Sequence, residues 1–127
     1  MKEINIIDNY MDEREFRNYV NIMFYKHGYY PLKIDDARVA DSDKTNDNDQ
    51  LVTKDNIKYT VQTYLNTEIG DEQIEETVQD IEKERVIYGL IITNLYVDDK
   101  IKEKAFGKHI TILDRKEFDK DIYDKVN

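Results

Sequence analysis

The sequence predicts an α/β protein, a mixed β-sheet flanked by helices with the element order α-β-β-β-α-β-α-β-α. Three observations lead there. The stretch "VIYGLIIT" at 86–93 is apolar nearly throughout, the pattern of a central strand buried on both faces. Amphipathic helical stretches stand before and after it. Between the first two of these lie "LVTK" and "IKYTVQTYL", joined by "DN", a dipeptide that tolerates positive φ in a tight hairpin turn. Helices interleaved with strands on both sides of an apolar strand require helices packed against a sheet.

The elements follow in order. Asp12 is a predicted N-cap with Glu15 three residues on, and Phe16, Tyr19, Val20, Met23 and Phe24 recur at helical spacing, so 12–27 reads as an amphipathic helix. Gly28 stands where a left-handed C-terminal cap is wanted. Tyr29 and Tyr30, before Pro31, open an extended segment to about Ile34. Residues 35–49 hold six aspartates and almost nothing apolar, and read as a loop. In the second hairpin strand, Ile57, Tyr59, Val61, Thr63 and Leu65 share one face and Lys58, Thr60, Gln62 and Tyr64 the other. From Asp71 to Arg85, Ile74, Val78 and Ile81 make a narrow apolar stripe; Glu72, Glu75, Glu76, Asp80, Glu82 and Glu84 occupy the rest. A short helix at about 98–106, a strand "HITIL" and a last helix at about 115–125 complete the chain.

Length fits one domain, 1–127, with one core, and no Pro or Gly run marks an internal linker. With 28 acidic against 19 basic residues the formal net charge is −9, which disfavours non-specific nucleic-acid binding over the surface as a whole. Cysteine is absent, so disulfides, thiolate catalysis and Cys-based zinc sites are excluded. The start, "MKEINIIDNYMDERE", lacks the apolar core of a signal peptide, and no apolar run approaches spanning length. A cytoplasmic protein with no membrane partner is the expectation.

The remaining chemistry narrows by elimination. Gly28, Gly70, Gly89 and Gly107 stand singly, so neither a dinucleotide fingerprint nor a phosphate-binding loop is present. Ser42, the only serine, lies in the polar loop with no nearby histidine, which argues against a Ser-His-Asp triad. His27 and His109 are far apart and read as capping or strand-edge residues. Asp41, Asp43, Thr45, Asp47 and Asp49 have calcium-loop spacing, but Asn46 replaces the turn glycine and Val52 the closing glutamate. A solvated loop is the better reading of 35–47. Asp49 differs from its neighbours, because it stands at the junction of that loop and a strand.

The stretch "DQLVTKDNIKYTVQTYLN" resembles the Mrr-like branch of the PD-(D/E)XK restriction-endonuclease-like superfamily. That branch shows an Asp, a short strand, a turn, a strand ending Val-Gln-x-Lys, an amphipathic helix and an apolar strand running into "TN". Here these are Asp49, the turn at Asp55 and Asn56, Val61 and Gln62, the helix from Asp71, and "GLIITN" at 89–94. Upstream, "EREFRNYVNIMFYKHGYY" is similar to the family's first helix, and the likeness covers roughly 12–118. The resemblance implies a restriction-endonuclease-like fold. It also implies Asp49 and Gln62 as ligands of a magnesium ion and Glu15 as an outer acidic group. In the family two oxygens hold the ion, and a lysine two residues after the second helps activate water and stabilise the phosphate.

That lysine falls on Tyr64, a phenol that is uncharged at neutral pH. Lys58 shares the strand face but stands about 20 Å away along the strand; Lys54, on the preceding strand, is the better displaced candidate. The expected site is thus Asp49, Gln62, Tyr64 and Lys54. Three functions follow as expectations. The leading one is a degenerate nuclease-fold protein in a restriction, defence or mobile-element setting, binding DNA, a protein partner or a second copy, with weak or no cleavage. The second is an active, divergent magnesium-dependent endonuclease. The third is an acidic interaction module or DNA mimic, because Glu68 to Arg85 holds eight acidic residues against two basic ones.

Overall fold

A computed structural model describes residues 11–32 and 50–126. The loop 35–49, with Asp49, Ser42 and the calcium-like spacing, lies outside the described residues, as does the expected extension from Lys33 to Ile34. The elements are α1 (Glu13–His27), β1 (Tyr30–Pro31), β2 (Gln50–Lys54), β3 (Ile57–Tyr64), α2 (Asp71–Glu84), β4 (Tyr88–Thr93), α3 (Asp99–Phe106), β5 (Ile110–Leu113) and α4 (Arg115–Val126). This is the predicted α/β order, and the five strands form one mixed sheet ordered β1-β2-β3-β4-β5.

Strand β3 is where the sheet changes direction. It runs antiparallel to β2, with Gln50 opposite Val61 and Lys54 opposite Ile57, and parallel to β4, with Tyr59 opposite Tyr88 and Tyr64 opposite Thr93. Strand β5 extends the parallel part. The β2–β3 turn has Asp55 at φ 55° and Asn56 at φ 68°, the paired positive dihedrals of a hairpin turn that matches strand twist.

Helix ends follow local chemistry. The Asp12 carboxylate accepts from Glu15 N at 2.8 Å while the Glu15 carboxylate accepts from Asp12 N at 3.2 Å, so two otherwise orphaned N–H groups at the start of α1 are satisfied. Gly28 closes the helix at φ 81° with its N–H turned back to the last carbonyls. At α2, Gln73 reaches back to accept from Gly70 N, and Arg85 ends the helix in the left-handed region at φ 59°.

The two faces of the sheet carry separate cores. Val52, Val61, Leu90, Ile92 and Leu113 pack with Phe16, Tyr19, Val20, Met23 and Phe24 of α1, and Phe118 of α4 joins them against the Tyr19 ring. Ile91, Ile110 and Ile112 pack on the opposite face with Ile74 of α2 and Ala105 of α3. Alternation along β4, with Leu90 and Ile92 up and Ile91 down, explains why the sequence there is apolar nearly throughout: both faces are covered. Gly89 lies under α2 so closely that a Cβ there would meet the Thr77 methyl at 2.7 Å and Ile81 at 3.1 Å. A glycine is therefore what lets helix and strand approach.

Helix α2 departs from expectation at Asp80. Asp80, counted with the solvent-facing acids, is buried, and the inward line of the helix is Ile74, Thr77 and Asp80, with Val78 and Ile81 only partly covered. A three-residue repeat on a helix follows the same face as the apolar stripe, so an acid at that spacing goes inward when a donor awaits it.

Candidate active site

The period of two along β3 sends Val61 into the α1-side core and turns Gln62 and Tyr64 the other way, beneath α2. There each meets one of a pair of acids four residues apart on that helix. The Gln62 amide Nε2 donates to Asp80 Oδ2 at 3.2 Å in a buried contact. The Tyr64 hydroxyl donates to Glu76 Oε1 at 2.6 Å. Because i and i+4 lie on one helix face, one rung forms between Gln62 and Asp80 and a second between Tyr64 and Glu76.

Burial, above all, raises the Tyr64 pKa well beyond the ordinary phenol value; hydrogen bonding to Glu76 and the negative charge of Glu76 and Asp80 push the same way, against a small opposing contribution from Thr77. Each of these raising effects disfavours a phenolate. The position where the resemblance calls for an ammonium therefore presents a neutral donor facing a carboxylate.

Just beyond, the sheet's strand-exit end is tied by asparagines. Asn66, at φ 54°, donates its N–H to Asn94 Oδ1 at 2.7 Å, and Asn94 Nδ2 donates to Asn66 Oδ1 at 2.8 Å. Asn66 Nδ2 also donates to the Met11 carbonyl at 2.9 Å, fastening the start of α1. Tyr19 of α1 donates to Thr93 O at 2.8 Å. The buried Asp114 closes the same end from β5, accepting from Val97 N and Lys116 N and pairing with Lys102.

Of the expected site residues, the fold brings Gln62 and Tyr64 together. Asp49 lies outside the described residues. Lys54 is at the hairpin end, opposite Ile57, with its ammonium 4.9 Å from the centre of the Tyr29 ring. Glu15 is exposed, on the α1 side of the sheet, with its carboxylate in the helix cap. Glu76 and Asp80 were not singled out as site residues from sequence. Their signal was present as an i, i+4 acidic pair, with Asp80 three residues after Thr77 on the inward line.

A magnesium ion wants carboxylate and carbonyl oxygens at near-octahedral positions. Among the described residues no three His, Cys, Asp or Glu side chains gather to hold a metal, and Gln62 meets Asp80 through its amide N–H₂. The described donor set does not by itself fit the ion.

The raised phenol pKa values give a pH dependence. Burial, then Tyr59, pushes Tyr29 up to about 12, and burial leads the upward shift at Tyr19 and Tyr64. Folding thus favours the protonated phenols. Their contribution is whole below the unfolded phenol value of 10.0 and is lost as pH rises from there through the folded values, about 12 for Tyr29. Stability measured by urea is expected to fall across that window. In parallel, Tyr64→Phe should remove one phenol from the late part of the alkaline absorbance titration; removal from the early part would contradict the assignment.

A mixed five-stranded sheet with helices on both faces is the architecture of a restriction-endonuclease-like protein. The restriction endonuclease family Mrr_cat matches residues 8–121, and the chain belongs to that family. No curated protein matches the chain. No helix among the described residues is long and apolar enough to cross a membrane.

Proposed function

We propose that this chain is a degenerate member of the restriction endonuclease family, one that binds DNA or a protein partner and cleaves weakly or not at all. The observation behind this reading is the Tyr64–Glu76 hydrogen bond: a neutral, partly buried phenol donates to a carboxylate at the position of the family's lysine. An ammonium there would stabilise the charge that develops on a phosphate; a phenol already donating to Glu76 cannot replace that charge. Around it, Glu76 and Asp80 add negative charge, which opposes the approach of a phosphate.

Magnesium enters this reading as the ion the family uses, with Asp49 and Gln62 as its ligands by resemblance and Glu15 as an outer group. The test is incubation of the purified protein with supercoiled plasmid and with single-stranded DNA, in Mg²⁺ and in Mn²⁺, beside Asp49→Ala. No nicking above the Asp49→Ala background is expected. Metal-dependent nicking that Asp49→Ala abolishes would overturn degeneracy, establish a divergent endonuclease, and direct attention to Lys54 as the cation.

A further inference from the structure

Helices α1, α2 and α3 run from the strand-exit end of the sheet to its strand-entry end, and their first-turn acids make the exit end the more acidic of the two. Helix α1 starts beside Asn66 and finishes beside Lys54, whose Cε lies 3.8 Å from where a Gly28 Cβ would stand. Helices α2 and α3 each leave the exit end of one parallel strand and finish at the entry of the next. Acidic residues occupy their first turns: Glu13 and Glu15, Asp71 and Glu72, and Asp99. Basic residues occupy the last turns of α1 and α2, Lys26 and Lys83, whereas Lys104 of α3 reaches back to Asp71 at 2.8 Å. Complementing the helix dipoles accounts for part of this. It does not account for Lys54 and Lys58 on the hairpin, or for Lys108 in the turn before β5, all at the strand-entry end.

Aromatic rings interleave with these cations. Tyr29 meets Tyr59 edge-on at 5.1 Å, Tyr59 meets Tyr88 at 5.5 Å, and Tyr88 meets His109 edge-on at 5.5 Å, a line of rings running across β3, β4 and the start of β5. Tyr25 and Tyr30, both strongly exposed, flank Lys26 and Lys54 at one corner of this end, and Ile57 and Ile87 are exposed along it. Asp55, Glu82, Glu84 and Glu103 are acids that accompany it.

We propose that the strand-entry end is a docking surface for single-stranded nucleic acid, distinct from the candidate site at the opposite end. Phosphates are drawn where the field of an acidic protein is least repulsive, and here that is the end away from the first-turn acids Glu13, Glu15, Asp71, Glu72 and Asp99. Exposed tyrosines beside lysines fit a single strand, whose unpaired bases stack on rings while its backbone tracks cations. A duplex keeps its bases stacked inside and has no use for Tyr25 or Tyr30. The surface stands whether or not the candidate site cleaves.

The test is anisotropy of a dye-labelled single strand of about 15 nucleotides, titrated with the full chain without divalent metal, at several salt concentrations. Binding is expected at low salt and should weaken as salt rises. Lys58→Glu with Lys108→Glu, checked by circular dichroism, should lower affinity about tenfold or more and reduce the salt slope by about 1.4, the share of two phosphate contacts on a single strand. Tyr25→Ala should weaken binding several-fold without altering the slope. Glu72→Gln with Glu75→Gln, at the opposite end, should not weaken it. Absence of binding at low salt, unchanged affinity in the charge-reversed variant, or tighter binding to a duplex of equal length would each overturn the proposal. Since no metal is present and no cleavage is read, these outcomes are independent of those that test degeneracy.

Discussion

Replacing Asp114 by alanine is expected to destabilise the protein by about 3–5 kcal/mol, a large part of the total stability of a domain this size. The Asp114 side chain is almost wholly buried, 1% exposed, and its two oxygens do several jobs at once. One accepts from Val97 N at 2.7 Å and so holds the turn after β4; the other accepts from Lys116 N at 3.0 Å and Glu117 N at 3.4 Å at the start of α4. The Lys102 ammonium of α3 lies 3.2 Å from the same oxygen. Alanine therefore removes a helix cap, leaves a loop N–H without its acceptor, and strands a largely covered ammonium. Asp114→Asn keeps an acceptor oxygen but loses the charge, and should cost less. Urea unfolding at unchanged slope would measure both, and a loss under about 1 kcal/mol for the alanine variant would show that this end is held by other contacts.

Metal-dependent plasmid nicking should appear when Tyr64 is changed to lysine, and should be stronger when Glu76→Gln accompanies it. Lysine has nearly the reach of tyrosine, so an ammonium at position 64 arrives beside the carboxylate that now accepts the phenol at 2.6 Å. In Tyr64→Lys alone that carboxylate holds the new cation away from a phosphate. Removing its charge frees the ammonium, and one well-placed cation or donor is worth about a hundredfold in rate at such sites. A folded Tyr64→Lys/Glu76→Gln variant that still fails to nick would mean that more than the lysine has been lost. Nicking by the unaltered chain at a comparable rate would mean that Tyr64 is no obstacle.

Much of this protein was legible from pattern. The hairpin could be read because Asp55 and Asn56 tolerate the positive φ that a two-residue turn demands, and β4 because eight nearly unbroken apolar residues cannot face water. The start of α1 could be read because a capping box joins residues only three apart. Each of these signals is local. Asp80 was not legible in the same way: it looked like one more acid on an acidic helix, and the Gln62 amide that meets it in the core lies 18 residues away in the chain. The line of rings through Tyr29, Tyr59, Tyr88 and His109 likewise joins residues from four separate segments.

Sequence by itself determined the element order, the caps, the position of the hairpin and the family resemblance, because periodicity, turn dihedrals and capping depend on neighbours within a few residues. The tertiary structure alone decided which face of β3 lies beneath α2, that Tyr64 and Gln62 each meet an acid there, and that Lys54, Lys58 and Lys108, from separate segments, share the strand-entry end. Those outcomes depend on strand register and on which helix covers which face, and both arise from packing the whole sheet at once.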